Sequence, residues 1–144
     1  MISIEKSFHI NKPPADVFAF MSDFANDAKW QADLVSSRKT SDGPIGVGTT
    51  GQIVQKVMGQ EMKNEIEVTA YEPPKRFAAK TTSGPVSFEF TTTYEDMGGG
   101  THLTMKLTGE AKGFFKVAEG MLQKEVEKTF ERDFAKLKEI LEAS

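Results

Sequence analysis

The chain has 144 residues, enough to bury a real core and few enough for one domain spanning 1–144. Hydrophobic content of 38% with 27% charged residues excludes a disordered chain, and a net charge of −3 argues against non-specific nucleic-acid binding, which needs clustered Lys and Arg. There is no Cys, so disulfides, thiolate catalysis and Cys-based metal sites are excluded.

Residues 2–10 alternate, with Ile2, Ile4, Phe8 and Ile10 on one side and Ser3, Glu5, Ser7 and His9 on the other, as in a half-buried strand. Pro13-Pro14 stops that strand and suits a helix start, and Asp16 then falls in a first turn, where it favours the helix dipole. Val17, Phe18, Phe20 and Met21 predict a short helix, and a second short helix or turn is expected over 24–30, ending near Trp30. Residues 35–41 read as a short strand, and Gly43 to Gly48 as a loop.

Longer alternating runs follow. Gly51 interrupts the pattern of 49–58 and leaves its inward face open. In 61–71, Met62, Ile66, Val68 and Ala70 oppose Lys63, Glu65, Glu67 and Thr69. Phe77 and Ala79 share a face in 76–82, and Val86, Phe88, Phe90 and Tyr94 share one in 85–95. Gly98-Gly99-Gly100 is a hairpin turn before a strand over 101–109 that carries Leu103, Met105 and Leu107. The period then changes. Phe115, Ala118, Leu122, Val126, Phe130, Phe134, Leu137 and Leu141 recur at steps of three and four and predict an amphipathic helix from about 113 to 142.

The outer faces of the strands are charged and Thr-rich, so one side of the sheet meets water. A helix of about 30 residues spans roughly 45 Å but is only about 10–12 Å across, while six or seven strands laid flat span roughly 30 Å. One helix cannot cover that width. The sheet must curl around it, and the short helices must close one edge. Such a grip either leaves a cavity at one end or closes as a packed core of the same residues. Eleven Phe and seven Met against two Tyr and one Trp make either interior soft and apolar.

Several segments in this order resemble the SRPBCC (START-like, helix-grip) superfamily, in particular its polyketide cyclase/dehydrase-like group. Pro13-Pro14-Ala15-Asp16-Val17-Phe18 is similar to the family's strand-to-helix entry, Asp23 with Trp30 to its D…W element, and Gly46-Val47-Gly48-Thr49 to its glycine loop. Tyr71-Glu72-Pro73-Pro74-Lys75-Arg76-Phe77 resembles its Pro-Pro turn, Gly99-Gly100-Thr101-His102-Leu103 its hairpin, and Lys112-Gly113-Phe114-Phe115 the start of its last helix. The resemblance covers nearly the whole chain and implies an α+β helix-grip fold. That fold is a curved antiparallel sheet of six to seven strands around a long C-terminal helix, with two short helices after the first strand. Members of the superfamily bind lipids, steroids, hormones and polyketides, some catalyse cyclisation or dehydration, and others modulate partner proteins. No universal catalytic residue carries over.

Individual residues carry competing readings. Gly46-Val47-Gly48-Thr49-Thr50-Gly51 matches G-x-G-x-x-G but precedes a strand rather than a helix, which favours a mobile loop gating the pocket mouth over a nucleotide site. His9 and His102 fall on polar faces of strands expected to pair, and read as surface histidines unless a third group joins them as a metal ligand. Asn64 interrupts an inward apolar face and must find a hydrogen-bond partner in backbone, water or ligand; Thr81, Thr92 and Tyr94 are weaker cases. Glu125 becomes an acid or base if its helix edge faces inward, and otherwise pairs with Lys124 or Lys128 in solvent. Trp30 either stacks on a ligand or plugs the core edge, and Gly120 marks a kink or leaves room for a ligand.

The expected activity is binding of a small hydrophobic ligand, lipid or polyketide-like, by Trp30, Met62, Asn64, Ile66, Phe77, Ala79, Phe88, Phe90, Phe115, Ala118, Met121 and Leu122. A cyclase or dehydratase using Asn64, Glu125 and Tyr94 is the alternative, and a protein-interaction module the third. No cofactor, metal or nucleic acid is expected. The absence of an apolar run of about 18 residues, or of one fit for a signal peptide, gives the cytoplasm as the expected compartment.

Overall fold

The computed structural model describes residues 2–111, 116 and 119–143. The chain runs β1 (Ile2–Ile10), α1 (Pro14–Ser22), a 3-10 turn (Phe24–Asn26), α2 (Asp27–Trp30), β2 (Leu34–Lys39), β3 (Thr50–Val57), β4 (Gln60–Glu72), β5 (Arg76–Ser83), β6 (Val86–Met97), β7 (Gly100–Ala111) and α3 (Glu119–Glu142). This is the expected helix-grip arrangement. The expected helix start near 113, with Gly113, Phe115 and Ala118, lies outside the described residues.

The strands form one antiparallel sheet in the order β1-β7-β6-β5-β4-β3-β2. β2 to β7 follow one another as neighbours, and β1 closes against β7 with Ile2 opposite Gly109 and Ile10 opposite Thr101. His9 stands directly opposite His102, as the pairing of first and last strands requires. Among the described residues no three His, Asp or Glu groups gather as metal ligands.

The alternation read from the sequence is the burial observed. In β4, Met62, Asn64, Ile66, Val68 and Ala70 are buried and the intervening Lys63, Glu65 and Thr69 are exposed. α1 begins with Pro14 in its first turn and Asp16 beside the dipole, and buries Val17 and Phe18. Phe18 then meets Tyr94 at 5.1 Å and Tyr71 at 5.4 Å between ring centroids, joining α1 to the sheet. α3 is tied to the opposite edge: Lys138 Nζ donates to the His9 carbonyl at 3.0 Å, and the Asn11 N–H donates to Glu142 at 2.8 Å.

The buried apolar residues fall into two clusters. One surrounds Ile10, Phe18, Trp30, Phe77, Phe134 and Leu137; the other contains Ile2, Ile4, Met62, Val86, Ala111 and Leu122. Phe88, Leu107 and Phe130 are half-buried and touch both clusters. They bridge the clusters without filling the space between them.

Candidate functional site

A cavity of about 210 Å³ lies in that space, between the inner face of the sheet and α3. Its walls are mostly apolar: Phe77, Phe88 and Phe90 from the sheet, Val126, Phe130 and Phe134 from α3, and Met21, Met62 and Met105. Thioether side chains adapt to irregular shapes, so these Met residues suit a variable occupant. An apolar cavity of about 150 Å³ is known to take up a benzene molecule. The present volume therefore holds something modestly larger, on the scale of one or two rings or a short chain.

Of the expected ligand-binding residues, Trp30, Met62, Ile66, Phe77, Phe88, Phe90 and Leu122 line the cavity. Phe115 and Ala118 lie outside the described residues. Ala79 is buried at 1% exposure behind the wall rather than in it. Met121 was expected at the wide end and is instead 68% exposed. Successive helical residues point about 100° apart, so with Leu122 facing the sheet Met121 turns to solvent.

Asn64 faces inward as its parity requires and is fully buried, yet it does not line the cavity. Its amide packs on Gly84, against the position a Cβ would take, and both Oδ1 and Nδ2 lack hydrogen-bond partners among the described residues. Thr81 accepts from the Phe88 N–H at 2.9 Å, a bond within the sheet. Glu125 is exposed and reaches the cavity only at its rim, from α3, with Lys56 at the rim from β3. The glycine loop was expected at the mouth, but none of residues 43–49 lines the cavity. The loop is instead held to β4, the Gly48 N–H donating to the Val68 carbonyl at 2.9 Å and the Val68 N–H to Thr49 at 2.8 Å.

Beyond Ser22, Gln55, Lys56, Glu125 and Thr129, the cavity's polar lining falls in two places. Deep in the wall, the Thr92 hydroxyl donates to the Tyr94 hydroxyl at 2.9 Å and lies 3.4 Å from the Phe77 carbonyl. Burial pushes the Tyr94 phenol above its ordinary value, against the opposing hydrogen bond from Thr92, so the phenol keeps its proton. The second place is the segment between α2 and α3, which sequence reasoning missed. Asp27, Gln31, Asp33 and Asp133 all reach the cavity there.

Asp133 is buried on α3, accepts the Ala32 N–H at 3.2 Å and pairs with Arg132 Nε at 3.2 Å; Arg132 also meets Asp33 at 3.0 Å. Burial raises the Asp133 carboxyl despite these partners. No cation pairs with Asp27 among the described residues. Its pKa is pushed up to about 7, chiefly by burial, with the Ser37 hydroxyl at 2.7 Å lowering it and the Asp23 charge raising it. The sequence signal that would have found Asp27 is its spacing of three from Trp30 on a short helix.

The sequence pattern of a protein family described as polyketide cyclase/dehydrase and lipid transport matches residues 1–142. No curated protein matches at the sequence level. Among solved structures, TTHA0849 from Thermus thermophilus superposes with a TM-score of 0.85 at 20% identity, covering 98% of this chain and 97% of that one. The ZhuI aromatase/cyclase from Streptomyces sp. R1128 gives 0.80 at 16% identity over 97% and 93% of the two chains. A START superfamily protein from Mycobacterium smegmatis gives 0.79 at 18% identity over 98% and 97%. At such identities the likeness is one of fold.

Proposed function

Because the chain belongs to the polyketide cyclase/dehydrase and lipid transport family, we propose that it binds a small hydrophobic molecule in the cavity between sheet and α3. The observation that carries this reading is the unfilled apolar space of about 210 Å³ walled by Phe and Met side chains. Protein interiors normally close-pack, so a gap of this size between two complete clusters invites an occupant. The volume favours a one- or two-ring molecule or a short chain.

The protein's single Trp, Trp30, stands in the cavity wall and reports on occupancy. Titration with uncharged hydrophobes of eight to twelve heavy atoms is expected to shift its emission and raise the melting temperature. Val126→Trp fills the cavity from α3 and is expected to abolish the stabilisation. A panel in which no member alters Trp30 emission or melting of the wild-type protein overturns the reading.

A cyclase or dehydratase is the second reading. Asp27 favours it, since a carboxyl near 7 in an apolar wall is matched to proton transfer at neutral pH. Against it, Asn64 lies off the cavity and Glu125 at its exposed rim, so the three groups expected to converge are dispersed. Binding without turnover therefore has the stronger support. Turnover of a polyketide-like substrate that falls steeply in Asp27→Asn would reverse that order.

A further inference from the structure

Asp27 opens α2 and lines the cavity, as do Phe24 before it, Trp30 after it and Phe134 of α3. Its Oδ2 accepts from the Ser37 hydroxyl at 2.7 Å, and no donor reaches Oδ1 among the described residues. That second oxygen is not sealed inside the fold. Among the described residues, the buried side-chain atoms without a partner are Trp30 Nε1 and the two of the Asn64 amide. Oδ1 of Asp27 is not one of them. It is therefore an open carboxyl oxygen on a residue that lines an apolar cavity.

The charge of this carboxyl is also uncompensated. Asp33 and Asp133, the neighbouring acids of the lining, share Arg132 at 3.0 and 3.2 Å. Lys29 on α2 donates to Asn26, and Arg38 on β2 donates to Gln52. Lys56 of β3 and Glu125 of α3 stand at the rim. The charge that acts on Asp27 is that of Asp23, in the turn before α2, and it repels. What complements such a wall is a cation. An ammonium brings three donors and a positive charge, and aromatic ring faces attract it. A hydroxyl brings a donor without the charge. A carboxylate adds a like charge to an acidic wall.

We propose that the α2 side of the cavity recognises the ammonium group of a small hydrophobic amine, which pairs with the Asp27 carboxylate while the hydrocarbon body fills the space walled by Phe and Met. This deepens, and rests on, the reading that the cavity binds a small hydrophobe. Burial holds the Asp27 carboxyl at about 7, so near neutral pH only part of the population carries the charge. An ammonium beside it favours the ionised form, and an alkylammonium keeps its own proton to about pH 10. Amine binding therefore strengthens as pH rises through 7, whereas binding of a neutral hydrophobe gains nothing from the ionisation.

Isothermal titration of the whole protein with 3-phenylpropan-1-amine, 3-phenylpropan-1-ol and 3-phenylpropanoate tests this. The amine and the alcohol have the same number of heavy atoms and differ in the head group. At about pH 8.5 the amine is expected to bind about tenfold tighter than the alcohol, the scale of one charge-assisted hydrogen bond offset by desolvation of the ammonium. The carboxylate is expected to bind weakest. At about pH 5.5 the amine-to-alcohol ratio is expected to fall to about twofold or less, because Asp27 is then neutral. In Asp27→Asn, which keeps the shape and removes the charge, the ratio is expected to stay at about twofold or less at both pH values. Should that variant fail to fold, Ser37→Ala decides in its place. It takes a donor from the carboxylate, so the pH at which the amine preference appears is expected to move up, and an unmoved profile overturns the subsite. Equal affinity of amine and alcohol for the wild-type protein at pH 8.5, or an amine preference that survives Asp27→Asn, overturns the subsite and leaves the hydrophobic cavity standing. Binding by none of the three overturns both.

Discussion

The ring of Phe24 rests directly on Gly51, occupying the place where a Cβ would stand. Gly51 is the residue that interrupts the alternation of β3, and it lies on the inward face opposite Ile66. Its missing side chain lets the turn after α1 seat against the sheet and close the cavity's edge. Gly51→Ala is expected to destabilise the fold by about 1–3 kcal/mol through overpacking. Phe24→Leu in the same chain should recover part of that loss. Urea unfolding of the two single variants and the double variant measures the coupling.

Asp27 makes stability depend on pH with a definite sign. Its carboxyl sits at about 7 in the folded chain against an ordinary 3.8. Between these values the folded state holds a proton that the unfolded chain has released, so stability is present in acid and is lost as pH rises toward and past 7. Asp27→Asn stays neutral throughout. It is expected to leave stability near pH 4 little changed and to raise it at pH 8 by on the order of 2 kcal/mol. Denaturant midpoints at the two pH values read the difference, and an equal effect at both would remove Asp27 as the source.

Arg132 joins α3 to the segment before β2 by reaching both Asp133 and Asp33. Its removal leaves Asp133 buried with only the Ala32 N–H as a donor. Arg132→Met is expected to cost about 1–2 kcal/mol, less than a fully buried pair because the guanidinium is half exposed. The loss should be smaller at pH 5 than at pH 8, because burial already raises the Asp133 carboxyl and the loss of Arg132 raises it further. Adding Asp133→Asn should restore most of it, as thermal melts at both pH values would show.

Asn64→Ala inverts the usual result of truncating a buried residue. Both polar atoms of the Asn64 amide are buried and, among the described residues, unpartnered. Their removal relieves a desolvation cost of about 1–3 kcal/mol, which offsets the lost packing. The variant is expected to be at least as stable as the wild-type protein in urea unfolding. Its affinity for any cavity ligand should be unchanged, since Asn64 lies off the cavity wall. A loss of several kcal/mol would mean that the amide holds an internal water.

The family resemblance, carried by the turns and the glycine loop, anticipated the helix-grip order of elements. The inward faces of β4, β5 and β6 were legible because a strand's side chains alternate strictly. Met62, Ile66, Phe77, Phe88 and Phe90 therefore reached the cavity as expected. Met121 did not, because a stripe spaced at three and four residues leaves the helix phase uncertain by one position at its edge, and Leu122 took the inward place. Asp27 escaped notice because an acidic residue opening a short helix reads as dipole stabilisation in solvent. It became a cavity residue once α2 packed between the sheet and α3.

The sequence by itself determined which residues of β4 to β6 face inward and that one long helix serves a one-faced sheet, since periods of 2 and 3.6 are local properties of the chain. Only the tertiary structure decided that the two apolar clusters stop short of each other, leaving a cavity whose polar lining includes Asp27, Gln31, Asp33 and Asp133. A gap is the difference between the space that distant elements enclose and the side-chain volume they bring to it. Its acidic side depends on contacts such as Ala32 with Asp133, 101 residues apart. No local pattern records such a distance.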